Sequence, residues 1–225
     1  MTLKKNMIVG IMLALAGLAS AAVTLWGEGT LTSANGDLIA TGVWDTGTGG
    51  TSLYWKVSHD DSAAGPAYWH YEYILTVPTE PQAKSISHMI LQVSTDLEAW
   101  EIVNVSHAFQ VNDPTQYVKD GSNPYMPDSG IYGLKFDLEG EKLTTFVLDF
   151  YSNRNPMMGD FYAKDGTTKV DNEQIWNTVY NSGFGNLTGE KIGVPDTSVI
   201  PAPGAILLAA MGTGLVGYLR RRTVI

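Results

Sequence analysis

Apolar and polar residues alternate in short runs along most of this chain, and turn-forming residues separate the runs. Alternation with a period of two puts apolar side chains on one face of a strand and polar side chains on the other. The pattern predicts strands at 36–43, 52–58, 68–77, 86–94, 101–105, 132–138, 143–151 and 160–164. Strands at this spacing predict an all-β domain of the antiparallel β-sandwich or jelly-roll type.

Two local signals extend this pattern. Asp165-Gly166 lies between the β-rich runs 161–164 and 167–170, and it predicts a two-residue hairpin turn because both residues tolerate positive φ. The following Asp171-Asn172-Glu173-Gln174 resembles a capping box and predicts a short helix that ends at Gly183. One side of that helix would carry Ile175, Trp176, Val179 and Tyr180.

The N-terminal residues have the pattern of a secretory signal peptide. Lys4 and Lys5 precede an uncharged, mostly apolar stretch over 7–18, and the small residues Ala19, Ser20, Ala21 and Ala22 follow. Ala19 and Ala21 supply the small side chains that signal peptidase requires, which predicts a signal peptide over 1–21 and cleavage before Ala22 or Val23. The alternative is an uncleaved membrane anchor, for which the apolar stretch is short.

A second targeting pattern occupies residues 199–225. It consists of a proline-containing motif, an apolar run over 205–219 and an arginine cluster: Val199, Ile200, Pro201, Ala202, Pro203, Gly204, then Arg220, Arg221 and Arg222. A helix over 204–219 would be about 24 Å long at ~1.5 Å per residue, and it could cross a membrane core of ~30 Å by local thinning and by snorkelling of the arginines. The arginines would keep their end in the cytoplasm, so that 22–198 lies outside. A buried core helix is the alternative, and three consecutive arginines disfavour it.

This three-part segment resembles the PEP-CTERM sorting signal of bacteria, which membrane-embedded exosortases recognise. The match is to the variant V-I-P-A-P-G form, and Ala202 stands where the commoner form has a glutamate. The resemblance implies that an exosortase cuts the chain near Pro201–Gly204 and then releases it or transfers it to a surface acceptor. The two prolines suit such a site, because they keep the backbone extended and available to a protease.

A second resemblance covers about half of the predicted mature domain. The blocks 87–94, 133–137, 152–154 and 159–166 are similar to blocks in one group of exported PEP-CTERM proteins. This similarity implies a location outside the cell and no particular chemistry.

Composition narrows the function classes. The chain has no cysteine, which excludes disulfides and thiol chemistry. All 23 acidic residues and nine basic residues lie outside the two targeting segments, so the region between these segments has a net charge of −14. This charge disfavours nucleic acid and anionic membranes as partners. Linker-like composition begins only at 193–204, so 22–198 is predicted to be one domain.

Candidate site residues give weaker signals. The histidines His59, His70, His88 and His107 lack metal-ligand spacing, and no G-x-S-x-G motif occurs. We therefore predict no cofactor, with calcium as the alternative, because oxygen-bearing residues cluster in one long segment. These are Asn112, Asp113, Asp120, Ser122, Asn123, Asp128 and Ser129, and turn chemistry explains them equally well.

Aromatic residues are the remaining candidate. Trp69, Tyr71 and Tyr73 share one face of a predicted strand, and Tyr54-Trp55 lies in the strand before it. Such a row could stack on sugar rings or form the domain core, and we favour the core.

These observations predict an exported protein with a structural or adhesive role at the cell surface or in the extracellular matrix, and no enzymatic activity. Its partners would be signal peptidase, an exosortase and, before processing, the membrane. One alternative is a carbohydrate-binding module for a surface polysaccharide, and another is a secreted hydrolase with a dispersed active site.

Overall fold

The computed structural model describes residues 24–59, 68–106, 109–138 and 142–199. The described strands are β1 Thr24–Thr32, β2 Leu38–Ala40, β3 Ser52–His59, β4 Trp69–Thr76, β5 His88–Gln92, β6 Ile102–Val103, β7 Phe109–Tyr117, β8 Ile131–Leu138, β9 Thr145–Ser152, β10 Arg154–Gly159, β11 Phe161–Val170, β12 Glu173–Asn181 and β13 Ile192–Val199. A one-turn helix α1, Val43–Thr46, and a 3₁₀ turn, Ala99–Glu101, lie between strands.

The strands pair antiparallel in three sheets. One sheet has the order β1-β3-β4-β9-β6, the second has the order β2-β12-β11-β5-β8-β7, and β10 pairs with β13 in a two-stranded sheet. The prediction of an all-β, antiparallel fold is therefore confirmed.

Buried side chains from the two large sheets form one core. Phe150 of β9 and Phe136 of β8 stack with ring centroids 5.6 Å apart and an interplanar angle of 15°, which joins the five-stranded sheet to the six-stranded one. The outward face of β9 carries Thr145, Val147, Asp149 and Tyr151, a mixture of polar and apolar residues.

The aromatic row on β4 belongs to this core. Tyr71 and Tyr73 are fully buried, and Trp69 is partly buried against the same cluster. The Tyr71 hydroxyl donates to the carbonyl of Arg154 at 2.8 Å, and the Tyr73 hydroxyl donates to the carbonyl of Gly193 at 2.7 Å. Burial raises the pKa of both tyrosines well above its usual value. Tyr71 and Tyr73 are therefore core residues and are not available to stack on a ligand.

The hairpin between β11 and β12 corrects two predictions. Strand β11 continues through Asp165 and Gly166, where the register shifts between Lys164 and Thr167 as in a β-bulge. The turn lies at Asp171-Asn172, whose φ angles are 48° and 71°. The hairpin turn predicted at Asp165-Gly166 is therefore wrong.

The short helix predicted after Asp171 is also wrong, because residues 173–181 form β12. The turn residues Asp and Asn adopt positive φ readily, so the capping-box pattern here is a hairpin turn instead. Pairing of β12 with β11 on one side and with β2 on the other then overrides the local helical signal.

Some strands contain residues that made them hard to predict. β7 includes Asp113-Pro114, which lies at a register shift between Asn112 and Thr115. Pro156 and Pro195 lie opposite each other in the β10–β13 ladder, again beside a register shift. Proline is tolerated in strands at such irregular positions. The region 193–199, which has linker-like composition, is strand β13.

Candidate functional site

Strand β13 leads directly into the predicted sorting motif and is an integral part of the domain. Its residues Ile192 and Val194 are fully buried in the main core. Its ladder with β10 runs from Gly159 opposite Ile192 to Arg154 opposite Val199. The end of β13 therefore lies beside the start of β10.

Arg154, at that start, carries a buried ion pair. Its guanidinium donates through Nε to Glu101 Oε1 at 3.0 Å and through a second nitrogen to the other oxygen of Glu101. Arg154 is 3 % exposed and Glu101 is 4 % exposed. Burial opposes the charge on Arg154, but its bonds to Glu101 and Asp96 outweigh burial and raise the pKa of the guanidinium.

The partners of Arg154 lie in one short segment, 94–101. Arg154 also donates to Asp96, at 3.1 Å to the carboxylate and at 2.7 Å to the carbonyl. Glu101 in turn accepts from the backbone N–H of Glu98 at 2.9 Å, which closes a capping box around the 3₁₀ turn. In the same segment Ser94 donates to Asp196 of β13 at 3.4 Å. The end of the domain is thus fastened to segment 94–101 through both β10 and β13.

A second buried charge fixes the connection before β13. Asp160 accepts from Lys191 Nζ at 2.7 Å, from Asn181 Nδ2 at 2.8 Å and from the backbone N–H of Gly185 at 2.9 Å. Sequence reasoning missed the roles of Asp160 and Arg154, because their partners lie 20 to 60 positions away along the chain.

The predicted targeting residues lie almost wholly outside the described residues. Val199 ends β13. Ala19, Ala21 and Ala22, Ile200 to Gly204 and Arg220 to Arg222 lie outside the described ranges, as does the apolar run 205–219. Within the described ranges, no helix has the length and apolar character needed to cross a membrane.

The described histidines occupy separate strand positions. His59 packs edge-on against Trp69, and His70 stacks on Tyr151 with centroids 4.4 Å apart. His70 also has carboxylates near both ring nitrogens, Glu72 at 3.8 Å and Asp149 at 3.6 Å. His107 lies outside the described residues. Over the parts of the chain that the structure describes, His, Asp and Glu form no cluster of three or more that could hold a metal ion.

His88 is buried on the other large sheet. Burial lowers its pKa to about 3; Lys135 and Lys164 act in the same direction, and Asp137 opposes them. Its Nδ1 lies 3.9 Å from Asp137, which is also paired with Lys135 at 2.8 Å. The ring is therefore neutral at physiological pH, and it serves as a core residue.

The calcium candidates are spread over different elements. Asn112 lies in β7 and donates to Asp137 at 2.7 Å. Asp120 Oδ1 accepts from the backbone N–H groups of Ser122 and Asn123, both at 2.7 Å, which is the hydrogen bonding of an Asx turn. Asp128 pairs with Lys119 at 3.4 Å. These contacts support the interpretation that the oxygen-bearing residues of this segment stabilise turns and strand ends.

The segment 118–130 has a structural task of its own. It covers a small second core on the six-stranded sheet, formed by Ile90, Met126, Ile131, Tyr162 and Phe184. The Tyr162 hydroxyl donates to the carbonyl of Pro124 at 2.6 Å, and this hydrogen bond connects segment 118–130 to β11.

Comparisons of the chain with protein-family models, with curated proteins and with solved structures found no match. The functional argument therefore rests on the residues and the geometry described above.

Proposed function

We propose that this chain is an exported protein with a structural or adhesive role at the cell surface or in the extracellular matrix. A signal peptide over 1–21 delivers a sandwich or jelly-roll-like domain, and an exosortase processes a PEP-CTERM-like tail over 199–225. The observation that carries the proposal is that β13 ends at Val199, which is the first residue of the V-I-P-A-P-G motif and lies two positions before Pro201.

This adjacency suits processing of a folded protein. Proline has no N–H to donate to a strand ladder, so the residue types at Pro201 and Pro203 favour an extended segment that a protease can bind. A cut between Pro201 and Gly204 falls beyond the buried residues Ile192 and Val194. The exosortase would therefore leave β13 and these two buried residues in the processed protein.

The internal contacts of the domain fit a structural role. The charged residues Arg154, Glu101 and Asp160 are buried and paired with one another or with neighbouring groups. Two antiparallel sheets share one core without any cysteine. These are features of a domain that withstands the extracellular environment by packing and internal ion pairs.

The two alternatives are less well supported. The carbohydrate-binding alternative relied on the aromatic row of β4, and Tyr71 and Tyr73 in that row are buried. The hydrolase alternative is best represented by His70 with Glu72 and Asp149, which lie on the outward face of the five-stranded sheet. Glu72 is also bound to Lys56 at 3.0 Å, which occupies one of the two carboxylates.

The test is expression of the full-length chain in a bacterium that has an exosortase and in the same strain without the enzyme. Each fraction is analysed by mass spectrometry of the C-terminus. We expect a chain that ends between Pro201 and Gly204 in the surface or extracellular fraction, and only when the exosortase is present. A wild-type chain that keeps Ile225 and stays in the membrane of the exosortase strain would disprove the sorting proposal.

Two tail variants separate the parts of the signal. Replacing Arg220, Arg221 and Arg222 with serine should let the chain escape uncut, because the positive charges no longer retain it. The matched control replaces the same residues with lysine, which keeps the charge and should keep retention. Replacing Pro201 and Pro203 with alanine should leave the chain uncut and held in the membrane.

A further inference from the structure

We propose that a cleft beside the bulge of β11 binds a carboxylate-bearing sugar unit of an acidic polysaccharide. The cleft has a volume of about 350 Å³ and is lined by Ala83, Lys84, Ser85, Lys142, Thr144 and Asp165. Ligand sites for small molecules begin at about 300 Å³. The proposal concerns the β domain alone and does not depend on the sorting of the tail.

Backbone hydrogen bonds hold the walls of the cleft in place. The carbonyls of Leu143 and Thr144 accept from the N–H groups of Ile86 and Val77, at 2.8 and 2.9 Å. On the other side, the N–H and hydroxyl of Ser87 both donate to the carbonyl of Lys164, at 2.9 and 2.8 Å. A site that is formed before the ligand arrives spends less free energy on ordering.

The bulge of β11 brings Asp165 into the cleft. The register of β11 with β12 shifts between Lys164 and Thr167, so the regular alternation of side chains is interrupted at Asp165. Bulges redirect single side chains in this way and are enriched beside functional sites. One carboxylate oxygen of Asp165 lies 3.5 Å from the hydroxyl of Ser85 on the facing segment.

The lysines of the cleft differ from most cations of the domain. Five basic residues form ion pairs with Asp or Glu, namely Lys56, Lys119, Lys135, Arg154 and Lys191. A sixth, Lys164, lies 4.6 Å from the centroid of the Trp176 ring. Lys84 and Lys142 are in no ion pair with the described residues, and both line the cleft. Two lysines that share one cleft and form no ion pair with a described carboxylate, in a domain of net charge −14, point to an anionic ligand.

The remaining lining groups favour a sugar acid over a simple anion. The carboxylate of Asp165 would repel a bare anion, but it accepts hydrogen bonds from sugar hydroxyls. The hydroxyls of Ser85 and Thr144 can donate or accept, and Ala83 and the lysine stems offer apolar contact to a ring face. A cleft of about 350 Å³ has room for a sugar unit, which is larger than a phosphate or acetate ion.

The test is isothermal titration calorimetry of the full-length chain, purified in a non-ionic detergent, with tri-galacturonic acid, galactotriose and acetate. We expect the acidic trisaccharide to bind, and the neutral trisaccharide and acetate to bind at least about tenfold more weakly. The variant Lys84→Gln/Lys142→Gln should lose at least about tenfold in affinity for the acidic trisaccharide. The control Lys119→Gln/Lys169→Gln removes the same charge from exposed positions outside the cleft and should bind like wild type.

Asp165→Asn separates a sugar acid from a simple anion. If Asp165 accepts from sugar hydroxyls, its loss should weaken binding of tri-galacturonic acid; if the site holds only an anion, removal of the negative charge should strengthen it. The proposal is overturned by stronger binding in Asp165→Asn, by equal losses in the two double variants, by equal binding of the three probes, or by no binding of tri-galacturonic acid. None of these results affects the sorting proposal, which is measured on the C-terminus.

Discussion

Arg154 lies opposite Val199 in the ladder between β10 and β13, and the same Arg154 holds Glu101 in a buried ion pair. Val199, which lies two positions before Pro201, is therefore paired with an arginine whose guanidinium binds both Glu101 and Asp96. Tension on the tail would be resisted by β10 and by segment 94–101 as well as by β13.

Replacement of Arg154 with methionine should lower the free energy of unfolding by about 3–5 kcal/mol, because it leaves Glu101 buried without its partner. Urea unfolding followed by tryptophan fluorescence measures this loss. The control Lys119→Met breaks an exposed pair with Asp128 and should cost less than about 1 kcal/mol. Similar losses in the two variants would show that the buried ion pair contributes no more to the free energy of unfolding than the exposed one.

Acid should destabilise the domain through His88. Its pKa is about 3 in the folded state and about 6.5 in the unfolded chain, so the unfolded state binds more protons between these values. The free energy of unfolding should therefore fall as the pH falls from about 6.5 towards 3, by up to about 1.4 kcal/mol per pH unit. The charges of Lys135 and Lys164 lower the pKa of His88 together with burial, and the charge of Asp137 opposes them.

Urea unfolding at a series of pH values tests this prediction. His88→Leu cannot titrate and should show a shallower decrease of stability below pH 6.5. The control Ile90→Val weakens the small core that contains Tyr162, whose ring centroid lies 6.4 Å from that of His88, but it keeps His88, so it should lower stability at every pH and leave the slope unchanged. A slope in His88→Leu as steep as in wild type would contradict the assignment.

Substitutions in the β11–β12 hairpin should distinguish its turn from its bulge. Asn172→Ala should cost about 1–2 kcal/mol, since φ at this residue is 71°, whereas Asn172→Gly should be nearly neutral. Gly166→Ala should be neutral or stabilising by up to about 1 kcal/mol, because an added Cβ meets no atom within 4 Å. Thermal unfolding measures the loss of stability in each variant. A larger loss for Gly166→Ala than for Asn172→Ala would indicate that the turn lies at Asp165-Gly166.

Ala21→Leu should block cleavage of the signal peptide, because a large side chain at the predicted −1 position does not fit the signal peptidase site. N-terminal sequencing of the secreted fraction and of the cell pellet measures the outcome, and we expect the precursor with Met1 to accumulate. The control Ala16→Leu enlarges a residue within the apolar stretch and should be processed normally. Normal cleavage of Ala21→Leu would place the processing site elsewhere.

Much of the five-stranded sheet could be predicted from the sequence. The runs 52–58, 68–77 and 143–151 alternate over most of their length, and they correspond to β3, β4 and β9. In such strands one face meets the core, so the pattern of apolar residues reports the structure directly. The burial of Tyr71 and Tyr73 followed from the same alternation.

The site-related features depended on contacts between distant residues. Asp165 lines the cleft at a register shift between β11 and β12, whereas the local Asp-Gly pattern indicated a turn. Strand β13 contains Pro195 and has a linker-like composition, and it is a strand because β10 pairs with it and the core buries Ile192 and Val194.

The sequence by itself determined the fold class, the charge of the domain and the two segments with targeting patterns, since each of these depends on residue types within a short stretch. Only the tertiary structure decided that the turn between β11 and β12 lies at Asp171-Asn172, that Arg154 forms an ion pair with Glu101 and that Lys84 and Lys142 line one cleft. The physical reason is that strand pairing and burial join residues that are distant along the chain, and their free energies outweigh local preferences.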